Sequence, residues 1–264
     1  MGMDANAALE ARIAGIGFWA NGLPSWQAAR DFVAAGTLVE DAPRRPAPRL
    51  LAANERRRAP ETVLLALEVA MAACEDAGRD PRLLPSVFTS THGDLAITDY
   101  MAATLADDPR ALSPIRFHNS VHNAAAGYWT IGAGCMAAAT AISAGPASFA
   151  QGLVEALAQL AAGEDAVLLA GYDVAATGPL GAVTTSEGLL GGALVLARSG
   201  SGRLLRAALV QSDAGRGDGA LAQRCGGNAM APMLPLFDTL ATGGTSALLQ
   251  AGPGTALRLE LAND

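Results

Sequence analysis

The feature that most constrains the fold is a strand–turn–helix–strand succession between Cys135 and Gly171. The run over 135–146 is apolar and rich in alanine, so it predicts a buried strand that enters a sharp turn at Gly145–Pro146. A helix is predicted over 147–162 and a second strand over 165–171. Two strands joined by a helix form a crossover unit, and repetition of such units predicts an α/β fold.

The remaining chain repeats the alternation. Ser25 is a suitable N-cap for a helix over 26–35, and Gly78 ends a clear helix over 61–77. We expect a single domain over 1–264, with a hairpin made by the strands at 191–197 and 203–211. Other predicted strands span 12–20, 85–91, 246–250 and 256–261, and other predicted helices span 93–106, 119–131 and 228–241.

Composition excludes several classes of function. Hydrophobic residues make up 51% of the 264 residues, yet no apolar run is long enough to predict a membrane span. The N-terminal ten residues do not resemble a signal peptide, so we expect a cytoplasmic protein. A net charge of −7 argues against nucleic acid as a partner, and the three dispersed cysteines predict neither a disulfide framework nor a metal site.

All 18 basic residues are arginine, so lysine chemistry is excluded and no cofactor motif is found. Six arginines lie within 44–58, in a segment rich in proline. Two interpretations stay open for this segment: a solvated surface loop, or a docking site for an acidic partner.

The segment from Ser113 to Gly127, read with the strand and turn that follow it, resembles the β-ketoacyl synthases of the thiolase superfamily. Counting forward from Gly127 by the family's spacing, the nucleophilic cysteine would fall at Pro146. Counting back from the turn at Gly163 reaches the same residue. The helix ending at Gly78 also resembles a family helix. The resemblance implies a thiolase-like α/β fold, truncated to roughly the N-terminal half plus a short C-terminal tail.

The resemblance also implies a loss of synthase chemistry. Proline has no nucleophilic group and no N–H, and the family's two catalytic histidines belong to a C-terminal half that this chain mostly lacks. The pattern is similar to the chain-length-factor-like subunits of type II polyketide systems, in particular the short ones of aryl polyene clusters. Such subunits pair with a full-length β-ketoacyl synthase and limit chain growth, and acyl carrier protein would reach this one only indirectly.

Two groups of residues follow from this resemblance. Candidates to line the partner's acyl tunnel are Phe117, Tyr128 and Trp129. Candidates for the partner interface are His118, His122, Ala137, Ala138, Ala139 and Ile142. On a helix, His118 and His122 would share one face. Close approach at the alanine run fits either a partner's strand or tight packing within the chain.

Other functions remain as alternatives. A stand-alone acyltransferase or hydrolase would need a nucleophile, and Ser143 and Cys225 are the candidates. Neither has a histidine nearby in sequence to act as base. A structural homodimer is the third possibility.

Overall fold

A single mixed sheet of eight strands organises the computed structural model, which describes residues 9–263. The prediction that the N-terminal ten residues do not form a signal peptide concerns a segment that lies mostly outside the described residues. The order across the sheet is β3-β2-β4-β5-β1-β6-β8-β7. The strands are β1 (Leu9–Ala20), β2 (Ser86–Thr89), β3 (Ala139–Ile142), β4 (Ala166–Asp173), β5 (Leu190–Ala197), β6 (Arg203–Gln211), β7 (Ser246–Gly252) and β8 (Thr255–Ala262).

Strand β2 pairs in parallel with β3 and β4, and the remaining neighbours are antiparallel. The helices are α1 (Trp26–Ala35), α2 (Ala53–Arg58), α3 (Glu61–Asp76), α4 (Leu95–Asp107), α5 (Pro114–His118), α6 (Ala124–Ala133), α7 (Ser148–Ala161), α8 (Ala220–Cys225) and α9 (Leu234–Thr242). The predicted N-cap at Ser25 is confirmed, because its hydroxyl accepts from the backbone N–H of Ala28 at 3.1 Å.

Helices cover both faces of the sheet, which confirms the predicted α/β class. Helices α3 and α6 pack on one face, while α1, α7, α8 and α9 lie on the other. Nε2 of Gln151 on α7 donates to the carbonyl oxygen of Ala251 on the edge strand β7 at 2.6 Å. Helix α7 also contacts β2 and β4 near the opposite edge, so the sheet curves around this helix.

The predicted hairpin between β5 and β6 is wrong. Strand β1 lies between them, and Arg12 faces Ala197 of β5 on one side and Leu204 of β6 on the other. The short connection after β5 crosses β1 where the register shifts between Ile13 and Gly15. Proximity in sequence suggested direct pairing, but the twelve-residue β1 is long enough to pair with β5 along 12–20 and with β6 along 9–13.

Two expectations near the crossover unit also need correction. The predicted buried strand at 135–146 is shortened to β3, an edge strand whose side chains are exposed or half-buried. The predicted helix at 119–131 begins only at Ala124, and a separate short helix, α5, precedes it. Ser113 caps α5, and its Pro114 is suited to a first helical position.

The arginine-rich segment is not wholly an extended loop, because residues 53–58 form α2. Pro46, Pro48 and Leu51 are buried beneath it. The guanidinium of Arg56 donates to the carbonyl oxygens of Ala47 and Pro48 at 3.4 and 3.5 Å. The segment therefore has a defined conformation against α3 and α6.

Candidate functional site

The turn at Pro146 has the predicted position, after β3 and immediately before α7. Gly145 adopts φ of 56°, a conformation that suits glycine, and Pro146 is exposed. The hydroxyl of Ser148 accepts from the N–H of Ala144 at 2.9 Å and donates to the carbonyl of Gly145 at 2.7 Å. The turn is therefore held by its own backbone and by Ser148.

Pro146 borders a cavity of about 460 Å³. His92, Thr184, Arg216 and Asn228 also line this cavity, and Nε2 of His92 lies 2.8 Å from the Thr184 hydroxyl. The side chain of Pro146 offers this space no nucleophile and no hydrogen-bond donor.

The two alternative nucleophiles lack the partners that activation requires. The Ser143 hydroxyl donates to the carbonyl oxygen of Thr91 at 3.0 Å, and a backbone carbonyl cannot act as a general base. Cys225 is half-buried at the end of α8, and burial raises the pKa of its thiol. A raised pKa reduces the thiolate fraction, the opposite of what nucleophilic catalysis needs.

The histidines at 118 and 122 do not share a helix face, which corrects that expectation. His118 ends α5, and His122 lies in the turn before α6, where its Nε2 is 3.1 Å from the carbonyl oxygen of Ser90. Among residues 9–263, no group of three or more His, Cys, Asp or Glu side chains is placed to hold a metal ion.

A buried carboxylate that the sequence reasoning missed anchors the turn region. Asp173, at the end of β4, accepts from the Ser90 hydroxyl at 2.6 Å and from the Thr91 N–H at 2.9 Å. Burial raises the pKa of Asp173, although these hydrogen bonds oppose the shift. The detectable signal was an acidic residue ending an otherwise apolar run, which usually requires a buried partner.

An apolar surface surrounds the free edge of β3. Ile131 is 81% exposed and Met136 is 95% exposed, and Val121 lies nearby in the turn before α6 with half of its surface exposed. Ala138 and Ala139 are exposed as well, so the tight packing within the chain that was considered for this run is wrong. Exposed apolar side chains beside an unpaired strand edge are typical of an interaction surface.

A second cavity, of about 540 Å³, lies between α6 and the segment that leads into α2. Its wall includes two of the residues predicted from sequence, Tyr128 and His118. The Tyr128 hydroxyl donates to Oδ1 of Asn119 at 3.1 Å, which fixes the ring in the wall. The cavity is lined by Leu50, Leu51, Glu55, His118, Val121, Asn123, Ala124, Gly127, Tyr128, Ile131 and Gly132.

The other two tunnel candidates lie elsewhere. Phe117 is 56% exposed on α5 and is absent from the wall of this cavity. Trp129 is fully buried and packs on Phe88, with ring centroids 6.1 Å apart. Phe117 therefore lies on the surface, Tyr128 in a cavity wall and Trp129 in the protein core. Their role in a tunnel stays a prediction.

The mixed sheet with helices on both faces and the strand–turn–helix unit agree with the thiolase-like fold that the resemblance implied. The sequence-family model of the β-ketoacyl synthase N-terminal domain matches residues 26–251 of this chain. The chain belongs to this family. Among curated proteins, none matches. Within residues 9–263, no helix is long and apolar enough to cross a membrane.

Solved structures support the same fold. One similar chain comes from the Xenorhabdus doucetiae complex of a ketosynthase (ApeO) with its chain length factor (ApeC), with 22% identity and a TM-score of 0.76; the match covers 96% of this chain and 99% of that one. A chain of the AntDE:AntF complex, a type II PKS acyl-carrier protein with its ketosynthase bound to the hexaketide, matches at 12% identity and a TM-score of 0.71, covering 97% and 100%. A chain of the ishigamide ketosynthase/chain length factor matches with 14% identity and a TM-score of 0.69. The match covers 95% of this chain and 98% of that one.

Proposed function

We propose that this chain is a non-catalytic, chain-length-factor-like subunit that pairs with an active β-ketoacyl synthase and shapes the far end of its acyl tunnel. The observation that carries the proposal is the exposed Pro146 at the turn into α7. At the family's nucleophile position this residue cannot form a thioester, so the chain contributes structure rather than chemistry.

The partner surface of the proposal is the free edge of β3 with its apolar surroundings. The interface candidates Ala137, Ala138, Ala139 and Ile142 lie on or beside this edge. A strand of the partner synthase would complete the sheet there, while Ile131 and Met136 would be removed from water. This arrangement explains why such large apolar side chains are exposed in the single chain.

The cavity wall formed by Tyr128 is the proposed contact with the growing acyl chain. Ile131 and Val121 belong both to this wall and to the apolar surface, so the cavity adjoins the surface that the synthase would cover. Its volume of about 540 Å³ lies within the ordinary range of small-molecule sites. Bulk in the wall would stop chain growth by steric exclusion.

The proposed product class is an aryl-polyene-type conjugated chain made in the cytoplasm. Acyl carrier protein would dock mainly on the synthase, because this chain has a net charge of −7 and would repel an acidic carrier. The arginine-rich segment at 44–58 is a local exception to that charge.

Co-expression with a full-length β-ketoacyl synthase that carries the nucleophilic cysteine tests the pairing. We expect a stable complex of equal stoichiometry on size-exclusion chromatography. A chain that forms only homodimers, and does not bind the synthase, would support a structural homodimer instead.

Incubation of the purified chain with an acyl thioester, followed by intact-mass measurement, tests the absence of catalysis. We expect the mass to remain unchanged. A stable acyl adduct, lost in a Ser143→Ala or Cys225→Ala variant, would favour the acyltransferase or hydrolase alternative.

A further inference from the structure

The outer wall of the 540 Å³ cavity comes from the segment before α2, at Leu50 and Leu51. Leu50 faces Gly132 on α6. A Cβ atom added at Gly132 would lie 2.9 Å from Cγ and 3.1 Å from Cδ2 of Leu50. Leu50 thus occupies the space that a side chain at position 132 would need.

Leu50 is held in this place by a well-bonded segment. The Leu51 N–H donates to the carbonyl of Pro48 at 3.3 Å, and Arg56 donates to the same carbonyl at 3.5 Å. The Glu55 carboxylate accepts from the Ala52 N–H at 3.1 Å. These bonds fix the segment on both sides of Leu50, so its side chain acts as a defined wall.

The chemistry of the wall limits what it can hold. The aliphatic and aromatic side chains of Leu50, Leu51, Val121, Tyr128 and Ile131 dominate it, and Glu55 is its carboxylate. A hydrocarbon chain end would be stabilised by burial against these groups. A terminal carboxylate would lose its hydration against these apolar side chains.

We propose that the Leu50–Gly132 contact sets the depth of this cavity, and that the cavity accepts an uncharged, apolar chain end. This inference rests on the proposed function and adds a determinant of product length outside the aromatic candidates. A methyl group at position 132 must displace the Leu50 side chain, because the two would lie only 2.9 Å apart. The contact between these two positions therefore limits the space at this end of the cavity.

The test measures product length in the complex with the synthase for three variants. Leu50→Ala enlarges the cavity and should lengthen the product. Gly132→Ala should shorten it, because position 132 lines the cavity and the added methyl group takes up part of its volume. The double variant should return the length toward that of the original complex, because the added methyl group then meets no leucine side chain. Leu83→Ala, at an exposed leucine outside the cavity, is the matched control and should change nothing.

Direct binding provides a readout besides activity. The probe is the methyl ester of a conjugated tetraene fatty acid, titrated into the complex and followed by its fluorescence. We expect Gly132→Ala to weaken binding by roughly tenfold, the usual effect of one methyl group in an apolar site. The free fatty alcohol of the same chain should bind similarly, and a dicarboxylate analogue should bind much more weakly.

The outcomes separate this inference from the proposed function. Because alanine is a better helix former than glycine, Gly132→Ala should fold and co-purify with the synthase. One outcome would overturn only the role of Leu50 and Gly132. In that outcome both single variants leave probe binding and product length unchanged, while Tyr128→Ala alters product length. Loss of any effect from Tyr128→Ala as well would overturn the proposed tunnel function itself.

Discussion

The hydroxyl of Ser90 donates a 2.6 Å hydrogen bond to Oδ1 of the buried Asp173. This bond joins the end of β2 to the end of β4, beside the turn that carries Pro146. Ser90 also accepts from the Gly93 N–H at 2.8 Å, which fixes the start of the segment leading to α4. One carboxyl group thus holds the loops around the turn at Pro146.

Asp173→Ala should reduce the free energy of unfolding by about 2–4 kcal/mol, because it leaves the Ser90 hydroxyl and the Thr91 N–H buried without an acceptor. Urea denaturation measures the change. The matched control is Asp165→Ala, whose carboxylate is exposed and pairs with Arg198 at the surface. Such pairs contribute little, so we expect the control to lose less than about 1 kcal/mol. Equal losses in both variants would contradict the anchoring role of Asp173.

The stability due to Asp173 should depend on pH in a defined direction. Burial raises the pKa of this carboxyl in the folded state above its unfolded value. The folded protein therefore keeps the proton to a higher pH than the unfolded chain does. Its contribution is largest in acid and declines as pH rises through the folded pKa.

Asp173→Asn removes this titration while keeping the size of the side chain. Urea denaturation at intervals upward from about pH 4, where an unperturbed aspartate titrates, should show a declining stability of the original protein relative to this variant. Asp238 also has a pKa raised by burial, but it is common to both proteins and cancels in the difference. A difference that grows with pH would show that hydrogen bonding outweighs desolvation at Asp173.

The three aromatic tunnel candidates should respond differently to alanine substitution. Trp129→Ala should cost about 3–5 kcal/mol of stability, because the side chain is fully buried against Phe88. Phe117→Ala should cost less than about 0.5 kcal/mol, since its ring is largely exposed. Thermal unfolding measures both values.

Product analysis of the complex then separates packing from tunnel effects. Tyr128→Ala should lengthen the product while the complex remains assembled, because its ring forms part of the cavity wall. Phe117 lies outside this wall, so Phe117→Ala tests whether its exposed ring enters the tunnel once the synthase is bound. An unchanged product distribution for all three variants, with intact complexes, would remove the steric account of chain length.

Charged substitutions on the apolar surface should prevent pairing with the synthase. Ile131→Asp and Met136→Asp alter side chains that are 81% and 95% exposed, so the single chain should fold normally. Burial of the new carboxylate in an interface should weaken binding at least about tenfold. Co-purification measures the loss, and Leu83→Asp, at a residue 76% exposed elsewhere, is the control. Normal pairing of both variants would place the interface elsewhere.

Much of the local structure could be predicted from the sequence. The helix at α3, the cap at Ser25 and the turn before α7 depend on short patterns of apolar, capping and glycine residues, and each is found where expected. Family spacing also led to Pro146 from two directions. These features depend on neighbours within a few turns of chain, so the sequence carries their physical cause.

Long-range pairing could not be predicted in the same way. Strand β1 separates β5 from β6, although a short glycine-rich link suggested a hairpin. Strand β3 was predicted to be buried, but its side chains are exposed or half-buried. An alanine-rich run predicts close packing without indicating whether the packing partner belongs to the same chain. The cavity depends on Leu50 meeting Gly132 across 82 positions of sequence, which no local pattern reveals.

The sequence by itself determined the α/β class, through the alternation of helices and strands, and the family, through the resemblance of its motifs and their spacing. Only the tertiary structure decided which aromatic side chain borders a cavity, which apolar residues remain exposed and where Asp173 finds its donors. The physical reason is that burial and hydrogen bonding are properties of neighbours in space, and the curved sheet brings those neighbours together from distant parts of the chain.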